Sequence, residues 1–277
     1  METLKNTHYL IGFLAVKDSN PNGDPDMKNL PRVDNYTGQG LISDVAQKRA
    51  VRDYVMEHMQ GKPGYEILEC SGTVKNAIIT EAKEGGGRDA DGAREFMCKK
   101  YFDVRTFGAV LSTGGSGGCG KVWGPAQFTL ARSIDPIHIQ QMAITTQTVA
   151  AESQVKNSST STMGRKYAIP FGFYKFTVSV HKSRAEVSGF SEEDYKVLRE
   201  AIVGMYSNRM SSSKGIIGVT HLWDCVPTGA ASLSLWAIEN AVTAKLKDPK
   251  IPARNVDDYE ITVDTSGLRG AAFDRIV

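Results

Sequence analysis

The order of elements legible in the sequence predicts an α+β domain of ferredoxin-like (RRM-like) topology. Three observations predict it. HYLIGFLAV (8–16) is a nearly continuous apolar run, as a strand buried on both faces requires. FGFYKFTVSV (171–180) is the most strand-like segment, and SEEDYKVLREAIVGMYSNRM (191–210) the most helix-like. With a helix at 41–60, a strand in FTLARSI (128–134) and another in GIIGVTHLWDCV (215–226), the order becomes strand, helix, strand, strand, helix, strand. A chain of 277 residues with 41% hydrophobic residues suits one large domain with insertions.

Each element has a local justification. After the first strand, the loop 17–40 carries Pro21, Pro25 and Pro31 with four aspartates, and its length marks it as functional or disordered. In 41–60, Leu41, Val45, Val51, Val55 and Met59 share a stripe at helical spacing. Lys48 and Arg52 fall in that stripe, where they either snorkel off the core edge or serve function. GYEILEC and NAIITEA read as short strands, KEGGGRDADG as a loop, and 94–112 as helical with a boundary near Gly108. The stretch from Ile139 to Gly164 is polar and Ser/Thr-rich, which predicts an extended excursion such as a long hairpin. Ser191 caps the second core helix, with Glu192, Glu193 and Asp194 at its positive end. Beyond Val226, ASLSLWAIENAV reads as a helix and DYEITVD as an edge strand.

The four cysteines are widely spaced and the five histidines scattered, so neither a disulfide framework nor a zinc site is expected, and no cofactor is implied. No apolar run approaches the roughly 20 residues of a membrane span, and a cytoplasmic protein is expected. Net charge is only +2, but Thr145 to Ala185 holds six basic residues against one acid, Glu152. A local excess of this kind suits a phosphate-binding surface or a solvated loop.

Gly115 to Lys121 satisfies G-x-x-x-x-G-K, yet Val122 stands where a P-loop needs Ser or Thr, and Gly124-Pro125 opposes a helix. The glycines then serve as a plain connection or as a backbone approach to a nucleic-acid phosphate. FGFYKF sets Phe171 and Phe173 on one strand face, either as core or as base-stacking rings of an RNA-recognition module. Asp24, Asp26 and Asp34 either cap turns or supply a carboxylate for RNA cleavage.

Several blocks together carry a resemblance: NPNGDPDMKNLPRVDNYTGQGLISDVAQKRAVRDYV, YFDVRTFGAVL, CGKVWGPAQFTLARSIDPI, STMGRKYAIPFGFY and GFSEEDYKVLREAI. In order and spacing, over residues 8 to about 220, they resemble the major backbone subunit of CRISPR Cascade complexes, type I-C in particular. This is the seventh Cas family of the RAMP superfamily. The resemblance implies a ferredoxin-like palm (about 8–60, 121–138 and 169–226), inserted fingers (about 61–112) and a β-hairpin thumb (about 139–168). Residues 227–277 form a C-terminal extension to which nothing is carried over.

The same resemblance implies a non-catalytic subunit whose copies stack head to tail along a crRNA guide and kink it at intervals. It implies pairing of the guide with target DNA, other Cascade subunits at the filament ends, and a separate recruited nuclease. RNA contacts are implied for Asn20, Asn22, Lys48, Arg49, Arg52, Gly117, Gly118, Lys121, Met163, Arg165, Lys166 and Lys214. The thumb around 157–164 is expected to order only against RNA and the next subunit. The chain departs from the family pattern at Lys214-Gly215, where Arg-Gly is usual, and near Thr146, where an Arg is expected. The rival readings are an RNA-cleaving backbone subunit of type III-like complexes and a monomeric RRM-like protein.

Overall fold

The computed structural model describes residues 2–86, 89–111, 118–146, 162–228 and 233–277. Strand β1 (His8–Ser19) opens the fold and runs three residues beyond the apolar run, through Lys17, Asp18 and Ser19. The following loop is ordered by two short paired strands, β2 (Gly23–Asp24) and β3 (Leu30–Pro31), and leads to β4 (Gln39–Ile42). Helix α1 (Asp44–His58) starts where the Ser43 side chain accepts a hydrogen bond from the Ala46 N–H.

The next segment differs from expectation. NAIITEA lies in helix α2 (Lys75–Gly86), not a strand, and GYEILEC makes only an isolated bridge, Glu66 to Tyr101. Helices α3 (Ala90–Lys100) and α4 (Phe102–Phe107) follow, and the chain turns to strand β5 (Gly108–Leu111) at the glycine the sequence marks. Ile79, Ala82, Ala93, Met97, Leu111, Cys119 and Val122 bury one another in a separate small core. That packing explains α2: the isoleucines are β-formers, but tertiary burial against α3 overrides propensity.

Strand β6 (Gly120–Trp123) pairs with β5 and not with the large sheet. The second strand of the ferredoxin-like order therefore begins at β7 (Ala126–Phe128), not at residue 121, and continues as β8 (Ala131–Pro136). β9 (Gln140–Thr146) and the long β10 (Thr162–Val180) form an antiparallel hairpin whose second arm runs on into the sheet. Helices α5 (Lys182–Ser188) and α6 (Glu192–Gly204) lead to β11 (Ile216–Pro227).

In the sheet, β1 lies between β10 and β11, antiparallel to both, and β7 and β8 pair with the far side of β10. The spatial order fourth, first, third, second is that of the ferredoxin-like fold. β4 extends one edge beyond β8. The other edge is extended by β14 (Ala271–Arg275), which the sequence did not signal.

Both faces of β1 are buried. Leu10, Leu14 and Val16 join Phe176, Val178, Val51, Leu198 and Ile202 beneath α1 and α6. Tyr9, Ile11 and Phe13 face the other way, onto Phe173, Trp223, Ile238, Val242 and Tyr259. This second layer comes from the C-terminal segment: α7 (Leu235–Asn240) and the two-stranded sheet of β12 (Val242–Leu246) with β13 (Tyr259–Val263). DYEITVD thus pairs with β12 and is not an edge of the main sheet.

Polar ties lock the layers. His8 Nδ1 lies 3.0 Å from Asp224, which accepts a 2.6 Å hydrogen bond from the Tyr195 hydroxyl. The four cysteines are free.

Candidate nucleic-acid interface

The end of β1, the start of β11 and the N-terminus of α1 converge on one junction. The Asn20 N–H donates to the Ser213 carbonyl (2.9 Å), and its amide donates to the Asn29 carbonyl (2.7 Å). Asn20 Oδ1 is buried and unpartnered in the described structure. Asn22 Oδ1 accepts from the Ser43 N–H at 2.9 Å, tying the loop to the helix start. Lys214 reaches the Pro21 carbonyl with its Nζ at 3.0 Å. Burial, and then the nearby Arg209, hold the Lys214 ammonium below the usual lysine range. Glycine must follow it, because a Cβ at 215 would sit 2.4 Å from the Asp18 carbonyl oxygen. The structure therefore brings Asn20, Asn22 and Lys214 together, as three residues that shape one loop.

On α1 the buried face is Gln47, Ala50, Val51 and Val55; Val45 is 67% exposed and does not belong to the stripe. Lys48 is mostly buried between Asp44 (3.2 Å) and Gln127 (3.4 Å). Arg49 pairs with Asp53 at 2.7 Å, donates to the Glu69 carbonyl and stays partly exposed. Arg52 is committed inside the protein. Its Nε donates to Asp103 at 2.8 Å, and its guanidinium lies 5.0 Å over the Phe107 ring. Asp103 is fully buried and also accepts from the Leu68 and Glu69 N–H groups. Arg52 thus ties α1 to the inserted helices, and its expected phosphate contact is not carried forward.

Gly117 lies outside the described residues; Gly118 leads into β6, where the Cys119 N–H donates to the Leu111 carbonyl at 2.9 Å. Lys121 sits in a strand, with no helix behind it, which removes the P-loop reading. Its side chain points outward and its Nζ lies 4.0 Å from the centre of the Trp123 ring.

The β9–β10 hairpin sets Arg165 opposite Ala143, Lys166 opposite Met142, and Met163 opposite Thr145. Gln141 through Thr145 are all exposed, without the alternation a packed strand shows, and Met142 and Ile144 are among them. Residues 147–161 lie outside the described residues, and with them most of the 157–164 tip.

Two of the three candidate aspartates of the first loop, Asp24 and Asp34, hold turns. Asp24 accepts from the Asp26 N–H and from Arg32, both at 3.1 Å. Asp34 accepts from Arg132 (2.5 Å) and from the Tyr36 N–H (3.0 Å), and these bonds, Arg132 first, hold its carboxyl below the usual range. Among the described residues no three His, Cys, Asp or Glu side chains cluster to hold a metal. The stacking-ring reading of FGFYKF fails: Phe173 is fully buried, its ring centre 4.9 Å from that of Tyr259. An RNA-recognition sheet needs that face open. The cover responsible includes the helix and strand legible in ASLSLWAIENAV and DYEITVD, but no spacing rule says that they pack on this face of the sheet.

A ferredoxin-like sheet, covered on one face by helices and on the other by its own C-terminal segment, and extended by a free hairpin, is the architecture of the RAMP class. The family model for CRISPR-associated protein Cas7 matches residues 6–264, and the chain belongs to that family. It is 27% identical over 222 residues to CRISPR-associated protein Cas7 of Haloferax volcanii, covering 72% of this chain and 63% of that protein. The chain thus spans less than two thirds of that relative's length. In structure it is similar to a chain of a CRISPR RNA-guided surveillance complex, pre-nicking, with a TM-score of 0.53 and 13% identity over 84% of this chain and 82% of that one. A chain of another CRISPR RNA-guided surveillance complex matches with a TM-score of 0.47 and 15% identity, over 85% of this chain and 75% of that one. At these identities the first likeness is one of fold.

No helix among the described residues is long and apolar enough to cross a membrane.

Proposed function

We propose that the chain is a non-catalytic, crRNA-binding backbone subunit of a type I-C-like Cascade complex. Copies stack head to tail along the guide, kink it at intervals and present it for pairing with target DNA. Other Cascade subunits close the ends, and a separate nuclease acts on the DNA.

The observation that carries this reading is the β9–β10 hairpin. A two-stranded ribbon exposed on both faces is marginal in water by itself. Its exposed Met142 and Ile144 want an apolar neighbour on one face, and Arg165, opposite Ala143 on the other face, wants an anion. A second protein copy and an RNA backbone supply both. The Asn20–Asn22–Lys214 loop, Lys48, Arg49, Gly118 and Lys121 offer further backbone and cationic contacts that read no sequence, as a subunit holding any guide requires.

Binding to single-stranded RNA is expected to fall steeply with salt, because each neutralised phosphate releases counterion. A titration of affinity from low to high salt checks this, and a flat profile would count against the reading. The assembled complex is expected to leave a complementary RNA intact in Mg²⁺, since Asp24 and Asp34 are engaged in turns. Regularly spaced products that vanish in Asp26→Ala or Asp34→Asn would instead make the subunit a nuclease.

A further inference from the structure

Strand β6 alternates inward and outward, with Val122 in the small core and Lys121 and Trp123 outside. Trp123 is 56% exposed, although it sits in a hairpin whose inner face is well packed. Its partner across the ladder is Gly108, which offers no side chain to cover the ring. Gly108 has a φ of +84°, and its backbone is clasped against Gly124: a Cβ on either residue would lie within 2.4 Å of the other strand's backbone. The bare patch beside the tryptophan is therefore built into the hairpin.

The result is a concavity of about 560 Å³ whose walls include Phe107, Gly108, Val110, Lys121, Trp123 and Arg184. Lys121 Nζ stands 4.0 Å and the Arg184 guanidinium 5.3 Å from the centre of the Trp123 ring. Neither cation makes an ion pair among the described residues, whereas Lys75 and Glu69 on the far wall neutralise each other at 2.5 Å. An open aromatic face with two unspent cations beside it matches a planar base linked to a phosphate.

We propose that Trp123, with Lys121 and Arg184, forms a stacking site for one nucleobase of a single strand crossing the β5–β6 hairpin. This rests on the nucleic-acid-binding reading above and extends it to a residue outside the expected contact set. The base lies over Gly108 against the indole, and its phosphate draws Lys121 and Arg184 off the ring. A single exposed tryptophan is by itself unremarkable on a protein surface; the glycine opposite and the paired cations set this one apart.

The test compares wild type, Trp123→Ala and Trp123→Phe, as full chains, on three labelled strands of equal length: oligoadenylate RNA, oligodeoxyadenylate, and an abasic strand. Circular dichroism verifies the fold of each variant. Trp123→Ala is expected to weaken binding of a base-bearing strand about tenfold, with the abasic strand unchanged. Trp123→Phe should retain affinity within roughly twofold, because a ring remains. Loss on RNA alone assigns the site to the guide, and loss on DNA to a target strand. Equal loss on the abasic strand, or none on either base-bearing strand, overturns the proposal while leaving RNA binding intact. Loss of self-association without nucleic acid in Trp123→Ala likewise overturns it, assigning the face to a second copy. A wild type that binds none of the three strands removes the underlying functional reading as well.

Discussion

Asp194→Ala is expected to cost about 3–5 kcal/mol, the range for breaking one side of a buried ion pair. Asp194 and Arg105 are both nearly inaccessible to solvent. One carboxylate oxygen accepts from Arg105 Nη2 at 2.7 Å, and the other from Arg105 Nε at 3.1 Å. The second oxygen also accepts from the N–H and hydroxyl of Ser191, completing the capping box that starts α6. Removing the carboxylate therefore strands a buried guanidinium on the Gly64 and Cys98 carbonyls and uncaps a core helix. At the size of this chain the loss should lower the melting temperature by about 10 °C. A drop of about 2 °C or less, within the range of an exposed surface pair, would mean the pair is not the tie described.

The pH dependence has a definite sign. Burial alone would raise the Asp194 carboxyl, but the Arg105 and Ser191 hydrogen bonds outweigh it and hold the group below its ordinary value. Its stabilisation is thus fully present above the unfolded carboxylate range and is lost as pH falls through the folded value. The stability gap between wild type and Asp194→Asn should narrow toward low pH.

Deleting Lys156 to Thr162 is expected to abolish assembly along RNA while leaving the monomer folded. The sheet does not rest on that segment: β10 makes its core contacts from Ala168 onward, through Phe173, Tyr174, Phe176 and Val178. The exposed hairpin arms contribute nothing to those cores. Circular dichroism of the variant should therefore match wild type, and sedimentation with a long guide should show no growth. Full-length assemblies from the deletion variant would mean that the hairpin is not the joining element.

Much of the ferredoxin-like core is legible in the sequence because its signals are local. The apolar run of β1 reflects burial on both faces, and the Ser191 cap with its acids marks α6. The inserted helices are harder to read, since the isoleucines of α2 favour a strand until α3 packs on them. In the C-terminal cover α7 and the β13 strand are legible, but β12 and β14 are not, because both are short and β14 pairs back onto β11 in the main sheet. The candidate site divides in the same way. Charge type and outward alternation expose Lys121 and Arg165, but the partner of Arg52 lies 51 residues away, and no spacing rule couples them. Gly108 is legible as a boundary, but that it faces Trp123 across the β5–β6 ladder follows from a pairing no spacing rule gives.

The most direct test of the central claim is the native mass of the protein assembled on guides of two or more lengths, each co-expressed with it. The account predicts that mass rises by one subunit for every fixed increment of RNA, each copy covering the same number of nucleotides. A mass corresponding to a single copy at every guide length would contradict it.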